Sequence, residues 1–172
     1  LIPAAKAEIL RSRLLERKFR LDTWDVFRAE KERALPACEA ILKQGLPEDL
    51  TELGAPTGPE DDFTMRIQSL MAICGIAPFS GSMLTGACGP AVTVSVGGAS
   101  KDPVAAAHGY LPHNAFSAYR HHAWGGLVAV AESQRGKRLG NHINARLITS
   151  IFDNLGATHV YELVSATNLP SR

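Results

Sequence analysis

The sequence WGGLVAVAESQRGKRLGNHINARLITSIFDNLGATHVYELVSATN, residues 124–168, decides the fold of this 172-residue chain. Residues 127–130 near its start are apolar on both faces, which is typical of a central strand. Apolar residues then recur at helical spacing over residues 139–155, and Gly156 stands where such a helix ends. Residues 158–164 predict a second strand. A strand, a helix and a strand in this order favour a right-handed crossover and a parallel strand pair.

The connection between the first strand and the helix is basic and contains two glycines, QRGKRLG over residues 134–140. Amide groups at a helix start have no partner within the helix, and the helix dipole adds positive potential, so such a turn can hold a phosphorylated ligand. Gly136 and Gly140 allow the backbone to approach that ligand closely. Charge-assisted contacts are expected from three basic side chains, Arg135, Lys137 and Arg138. Glycine spacing alone hardly distinguishes a phosphate-binding turn from an ordinary basic connection between a strand and a helix.

Composition limits the partners of the chain. Lys and Arg number 18 and Asp and Glu 17, and this formal net charge of +1 predicts no nucleic-acid binding. Cys38, Cys74 and Cys88 form no CxxC pair, which argues against a disulfide framework and a zinc site. No apolar run approaches the roughly 18 residues of a spanning helix, so we expect a cytoplasmic protein with no membrane partner.

The first third of the chain predicts helices. Residues 3–18 and 24–44 each form a candidate helix, the second capped by Asp22 or Thr23 and kinked or divided by Pro36. Residues 46–59 are rich in proline and glycine and predict a connection. Residues 1–59 are therefore expected to be a helical N-terminal segment, followed by a second domain over 60–172.

The remaining residues complete the fold of that second domain. Residues 61–74 predict a third helix. Residues 78–90 are turn-rich and predict either a flexible loop or a substrate-side lid. Residues 91–96 and 103–110 predict an antiparallel hairpin. The chain starts without a methionine and stops just after the last predicted strand, so we expect further residues at one or both ends.

Residues 130–140, with the helix and strand that follow, resemble the acyl-CoA-binding motif of the GNAT superfamily of N-acetyltransferases. The family pattern is a strand ending in a valine and then an Arg/Gln-x-x-Gly-x-Gly/Ala turn, in which Arg135 takes the first place and Gly140 the last. The chain departs from the pattern at Arg138, where the family usually has the middle glycine. This side chain must leave the path of the pyrophosphate, or turn round to pair with a phosphate of CoA.

The resemblance implies an α/β (α+β) fold with a mixed, mostly antiparallel central sheet, flanking helices and a splayed parallel strand pair around the CoA site. The domain over residues 60–172 would then be GNAT-like and incomplete at its C-terminus. Acetyl-CoA would be the co-substrate, with no metal, and its acetyl group would pass directly to an amine of a small molecule or peptide. Contacts with the co-substrate are expected from Val128, Ala129, Val130, Arg135, Gly136, Lys137, Arg138, Leu139, Gly140, Asn141 and Asn168.

The same resemblance implies that a backbone N–H near residues 128–130 polarises the thioester carbonyl. The acceptor must also lose a proton, and Glu132, His121 and His122 are the candidate bases. Histidine has a suitable intrinsic pKa, and Glu132 can act through water if its pKa is raised. His108 and His113, earlier in the chain, are further histidines considered for this role. His121 and His122 alternatively only line the entrance, and Glu132 is alternatively solvated. The family's general acid, usually a tyrosine, would follow Arg172.

Two other classes of function remain open from the sequence. One is a non-catalytic acyl-CoA-binding regulatory module whose residues 1–59 dock a partner, and the other is a structural domain with an empty basic turn. Polyamines, amino acids, antibiotics, peptide N-termini and lysines are all possible acceptors. The many apolar helical faces predict a homodimer.

Overall fold

The computed structural model describes residues 4–21 and 24–172, and within them helices flank one six-stranded sheet. Short 3₁₀ turns cover Glu132–Gln134 and Leu169–Ser171. The helices and strands in chain order are α1 (Ala4–Glu16), β1 (Trp24–Glu30), α2 (Lys31–Leu42), β2 (Thr51–Leu53), α3 (Asp62–Ile73), α4 (Gly81–Leu84), β3 (Ala91–Gly97), β4 (Pro103–Tyr110), β5 (His122–Val130), α5 (Leu139–Asn154) and β6 (His159–Ser165).

The strands lie in the order β1-β6-β5-β4-β3-β2. The β2–β3, β3–β4 and β4–β5 pairs are antiparallel, whereas β5 and β6 are parallel. The predicted hairpin and the predicted strand–helix–strand crossover are both confirmed. The sheet is therefore mixed and mostly antiparallel, as expected.

Helix α5 fills one face of the sheet because its apolar residues recur along one stripe. Ile143, Leu147 and Ile151 are fully buried there, each contributing about 1.5–3 kcal/mol relative to an exposed side chain. Gly109 on β4 lets the helix come close, because a Cβ at this position would lie 2.6 Å from Cδ1 of Ile151. Gly156, with φ of 62°, follows the helix as predicted.

Helices α3 and α4 cover the other face. Ile67 and Met71 of α3 and Leu84 of α4 pack on Ala106 and Ala129 of the two central strands. Small residues at these sheet positions keep the helical layer close to the backbone of β5. The predicted helix over residues 61–74 is confirmed.

Three expectations for the connecting regions were wrong. Residues 24–44 are not one helix, because aromatic and β-branched residues favour a strand over Trp24–Glu30 and α2 begins only at Lys31. The connection over residues 46–59 contains β2, so the N-terminal segment is not wholly helical. The loop over residues 78–90 contains α4, whose N-cap Ser80 accepts a hydrogen bond from the Met83 amide at 3.3 Å. The candidate caps Asp22 and Thr23 lie outside the described residues.

The chain divides into a larger compact unit, Phe27–Glu162, and a smaller one that combines the described residues up to Val26 with residues 163–172. In the smaller unit the guanidinium of Arg172 donates to the carboxylate of Asp25. None of the helices in the described ranges is long and apolar enough to cross a membrane. The division after residue 59 stays a prediction.

Candidate functional site

Strand β5 contains a β-bulge. The pairs Ala106–Ala129 and His108–Gly126 leave two residues of β5 opposite one residue of β4. Leu127, the first residue of the bulge, has φ of 51°, a left-handed conformation that costs a non-glycine residue about 1 kcal/mol. The bulge interrupts the hydrogen-bonded ladder at this point, so main-chain groups of β5 become available to a ligand.

Strands β5 and β6 are paired at one end only. Their registered pairs run from His122–His159 to Trp124–Tyr161, and β5 then continues over residues 125–130 without a registered partner in β6. The parallel pairing therefore ends at Trp124 and Tyr161. The bulge lies on the stretch of β5 beyond that point.

The turn that follows β5 bends through two left-handed residues. Gly136 has φ of 79°, a conformation that glycine adopts without steric cost. Arg138 has φ of 58° and ψ of 16°, where a side chain is unfavourable. A glycine would suit this position better, which gives a physical reason for the middle glycine of the family pattern.

Unpaired amides gather at the start of α5. The first helical hydrogen bond runs from the His142 amide to the Arg138 carbonyl at 3.2 Å, so the three preceding amides have no helical acceptor. No side chain of the described residues caps this helix. The amide donors thus left for an anion are those of Leu139, Gly140 and Asn141.

Two basic side chains of the turn have partners within the larger unit. The Arg138 guanidinium donates to Oε1 of Gln44, just beyond α2, at 3.4 Å. Lys137 Nζ donates to Oε1 of Gln134 at 2.9 Å. Of the two arrangements expected for Arg138, the structure shows the side chain directed to Gln44. The backbone on the solvent side of the turn stays open.

A cavity of about 120 Å³ lies beside the turn. Residues 44–47 form one wall, and Lys137, Arg138 and His142 contribute to the other. His142 is 7% exposed, and its Nε2 lies 3.5 Å from Oε1 of Glu52 without hydrogen-bond geometry. The cavity therefore combines cationic side chains with a buried imidazole.

The three candidate bases do not lie together. Glu132 is exposed just after the end of β5, whereas His121 and His122 lie at its start, and a fully extended strand from His122 to Val130 is about 26 Å long. His122 is the first residue of β5, and its ring stacks on His159 at 4.2 Å between centroids. Burial lowers the pKa of His122, with smaller effects from neighbouring positive charges.

His108 is a fully buried imidazole beside the bulge. The Thr93 hydroxyl donates to the Leu84 carbonyl at 2.6 Å and lies 2.8 Å from Nδ1 of His108. A hydroxyl has one proton to donate, so we assign the ring proton to Nδ1, and Nε2 is left as an acceptor without a partner among the described residues. Burial lowers the pKa of His108 to about 4, so the ring is neutral at pH 7.

Aromatic rings surround His108 on the α3 face of the sheet. Phe79 meets it edge-on at 5.5 Å, and Tyr110 stacks on it at 5.9 Å. Trp124 lies 5.6 Å from Tyr110, and its indole extends along β5 over Gly126. This uncharged wall therefore reaches the residue just before the bulge.

Glu162 is a half-buried carboxylate at the end of the β5–β6 pairing that no sequence motif singles out. It is the first residue of β6 after the last β5–β6 pair, and the Asn144 side-chain amide donates to its Oε1 at 2.9 Å. Burial raises the pKa of this carboxyl, against the opposing effect of the Asn144 hydrogen bond. The sequence feature that points to Glu162 is its position as the one acidic residue in the otherwise mostly apolar run HVYELV, residues 159–164.

Asn168, an expected contact with the co-substrate, lies in the smaller unit. It is exposed there, and its amide donates to the Ser165 carbonyl at 3.0 Å. Across the described ranges, no group of three or more His, Cys, Asp or Glu side chains is placed to hold a metal ion.

Solved structures share this architecture. The chain is similar to a GCN5-related N-acetyltransferase from Kribbella flavida, with a TM-score of 0.62 and 14% identity over 88% of this chain and 52% of that one. It is similar to a tandem GNAT protein from the clavulanic acid biosynthesis pathway, with a TM-score of 0.60 and 13% identity over 94% and 51% of the two chains. It is also similar to a GCN5-related N-acetyltransferase from Sphaerobacter thermophilus, with a TM-score of 0.52 and 13% identity over 94% of this chain and 49% of that one.

The chain spans about half the length of these three structures. No family model and no curated protein matches the sequence. At identities of 13–14% the likeness shows the fold alone. The chain has the fold of the GNAT superfamily.

Proposed function

We propose that this chain, which has the fold of GCN5-related N-acetyltransferases, transfers an acetyl group from acetyl-CoA to an amine. One observation carries the proposal: a single strand–turn–helix unit combines the bulge in β5, a stretch of β5 beyond its pairing with β6 and the unpaired amides at the start of α5. Each of the three features suits a different part of an acyl-CoA molecule.

The turn binds the pyrophosphate. The amides of Leu139, Gly140 and Asn141 donate to its oxygens, and the positive end of the α5 dipole adds to the attraction. Arg135 and Lys137 are exposed on the same turn and add charge. The Arg138 backbone contributes to the turn while its side chain pairs with Gln44.

The thioester lies at the bulge of β5. A main-chain N–H released from the ladder near Val128 donates to the thioester oxygen as it becomes negative. One such donor is typically worth a factor of about 10²–10³ in kcat. The amine nitrogen attacks the carbonyl carbon, the C–N bond forms and the C–S bond breaks, without a covalent enzyme intermediate.

Two measurements test the proposal. Acetyl-CoA is expected to raise the free energy of unfolding by RT ln(1 + [L]/Kd), which is about 2.7 kcal/mol at a concentration of 100 Kd. Arg135→Ala should reduce that stabilisation, whereas Lys101→Ala, an exposed lysine of the β3–β4 hairpin, should not. Thiol release from acetyl-CoA is then followed with spermidine, lysine, 2-phenylethylamine and a peptide N-terminus as acceptors.

The two measurements separate the possible functions. A folded protein that shows no stabilisation at millimolar acetyl-CoA contradicts the proposal. Stabilisation without thiol release, for acceptors covering each class, would instead favour a non-catalytic acyl-CoA-binding module.

A further inference from the structure

The end of the β5–β6 pairing carries a carboxylate. Trp124 and Tyr161 form the last registered pair, and Glu162 is the next residue of β6. Side chains alternate along a strand, so Glu162 points to the face opposite Tyr161, and its partner Asn144 lies on α5. Asn144 is five residues beyond the start of α5, about 8 Å along the helix from the unpaired amides.

The surroundings of Glu162 keep a carboxyl group only partly solvated. Asn144 on α5 donates to Oε1 at 2.9 Å. Burial raises the pKa of the Cys38 thiol on α2, and the nearby charge of Glu162 adds a smaller rise. Glu162 itself is half-buried rather than enclosed. A carboxyl group that is held by one oxygen and not sealed from solvent can exchange a proton with a ligand on the unpaired stretch of β5.

We propose that Glu162 moves the proton during acyl transfer, first as the general base and then as the general acid. Its carboxylate takes a proton from the acceptor nitrogen as the C–N bond forms. The same proton passes to the CoA sulfur as the C–S bond breaks, so the carboxylate is regenerated and atoms and charge balance. This inference rests on the proposed function.

The environment of Glu162 suits both steps. Burial raises the pKa of its carboxyl towards the range in which a general base and acid are efficient near neutral pH. Glu132, by comparison, is exposed beyond the end of β5, and His121 and His122 lie at the far end of that strand. Glu162, by contrast, directly follows the last β5–β6 pair.

Asn144 is a positioning residue in this account. Its side-chain amide fixes Oε1 and, because it stabilises the charged form, lowers the pKa of Glu162 against the effect of burial. Removing this donor raises the pKa. The carboxylate then forms only at higher pH, so the acidic limb of the plot of kcat against pH shifts to higher pH.

The first experiment compares Glu162→Gln with wild type, using acetyl-CoA and the acceptor that gives the fastest thiol release. Glutamine keeps the shape and an oxygen for Asn144, so acetyl-CoA affinity, measured by calorimetry, should stay within about twofold. We expect kcat to fall by a factor of about 10²–10⁴. Glu39→Gln, on the exposed side of α2, serves as the matched control with wild-type kcat.

The second experiment measures kcat against pH for Asn144→Leu, which leaves Glu162 in place. An acidic limb displaced to higher pH supports the proposal. Wild-type kcat in Glu162→Gln, or an unmoved limb in Asn144→Leu, overturns it and leaves the proposed function standing. A wild-type protein that binds no acetyl-CoA, or releases no thiol with any acceptor, overturns the proposed function and this inference with it.

Discussion

Gly126 shows how one missing side chain shapes the site. A Cβ at this position would lie 2.6 Å from Cζ2 and 2.8 Å from Cη2 of Trp124, so only glycine lets the indole lie along β5 towards the bulge. Its neighbour Gly125 faces α5, where a Cβ would meet Ile151 and Leu147 at an ordinary 3.5 Å. A side chain is therefore accommodated at Gly125 but clashes with Trp124 at Gly126.

Gly126→Ala is expected to lower the free energy of unfolding by about 1–3 kcal/mol, because the indole must rotate away from the added methyl group. Gly125→Ala is the matched control and should change it by less than about 1 kcal/mol. Urea denaturation of both variants checks the prediction. Equal losses would show that the Trp124 contact is not what requires glycine.

His108 makes stability depend on pH. The folded pKa is about 4 and the ordinary value is 6.5, so between these values the unfolded chain holds a proton that the folded chain does not. Stability is therefore complete above pH 6.5 and is lost as pH falls towards 4. The contribution of His108 decreases by about 2 kcal/mol between pH 7 and pH 5.

His108→Gln removes this titration while keeping a donor for Thr93. The loss of unfolding free energy between pH 7 and pH 5, measured in urea, should be about 2 kcal/mol smaller in the variant than in wild type. An identical loss in both proteins would place the titrating group elsewhere.

The turn before α5 depends on backbone conformation more than on its cationic side chains. Gly136 is left-handed, and a β-branched residue there costs of order 1–3 kcal/mol. Arg138 is left-handed as well, but its guanidinium pairs with Gln44 and leaves the amides open. Arg138 thus adopts a backbone conformation that glycine adopts more readily.

Gly136→Val should weaken acetyl-CoA binding at least tenfold, because strain displaces the amide donors. Arg138→Gly keeps the backbone path and should change Kd by less than about threefold. Calorimetric titration of the two variants with acetyl-CoA shows whether Arg138 contributes through its backbone alone or through its guanidinium as well. A loss of tenfold or more in Arg138→Gly would show that the guanidinium itself holds a phosphate, since such a bond is worth about 1.5–3 kcal/mol.

Elements with a strong local period were predictable, and those set by tertiary pairing were not. The apolar stripe of α5 and the alternation of β3 specify their structure in the sequence itself. The residues of β1 were expected in a helix because Asp22 and Thr23 suit an N-cap just before Trp24, whereas pairing within the sheet makes them a strand. β2, with three residues, is too short for any period to show.

The site was predictable only in part for the same reason. Gly136 and Gly140 point to the turn because their conformational freedom is visible in the residue type. The bulge at Leu127 is not visible, since leucine is an unusual residue for φ of 51° and the shift arises from pairing with β4. The role proposed for Glu162 depends on its hydrogen bond with Asn144, eighteen positions earlier, and no sequence pattern connects the two.

The self-association of the chain is a separate expectation. In the smaller unit, α1 exposes Ile9, Leu10 and Leu15, each to 45% or more. Exposed apolar residues on one helix favour a second copy as the partner. Light scattering should give the mass of a dimer, and Leu10→Glu combined with Leu15→Glu should give the monomer. A monomeric wild type would contradict this expectation.

The most direct test of the acyl-CoA site is the amide NMR spectrum of the isotope-labelled protein during titration with acetyl-CoA. The account predicts the largest shift changes at Gly136–Asn141 of the turn and at Leu127–Val130 of the bulge, with smaller changes in the β3–β4 hairpin. A spectrum without changes at saturating acetyl-CoA, or with its largest changes away from both segments, would contradict it.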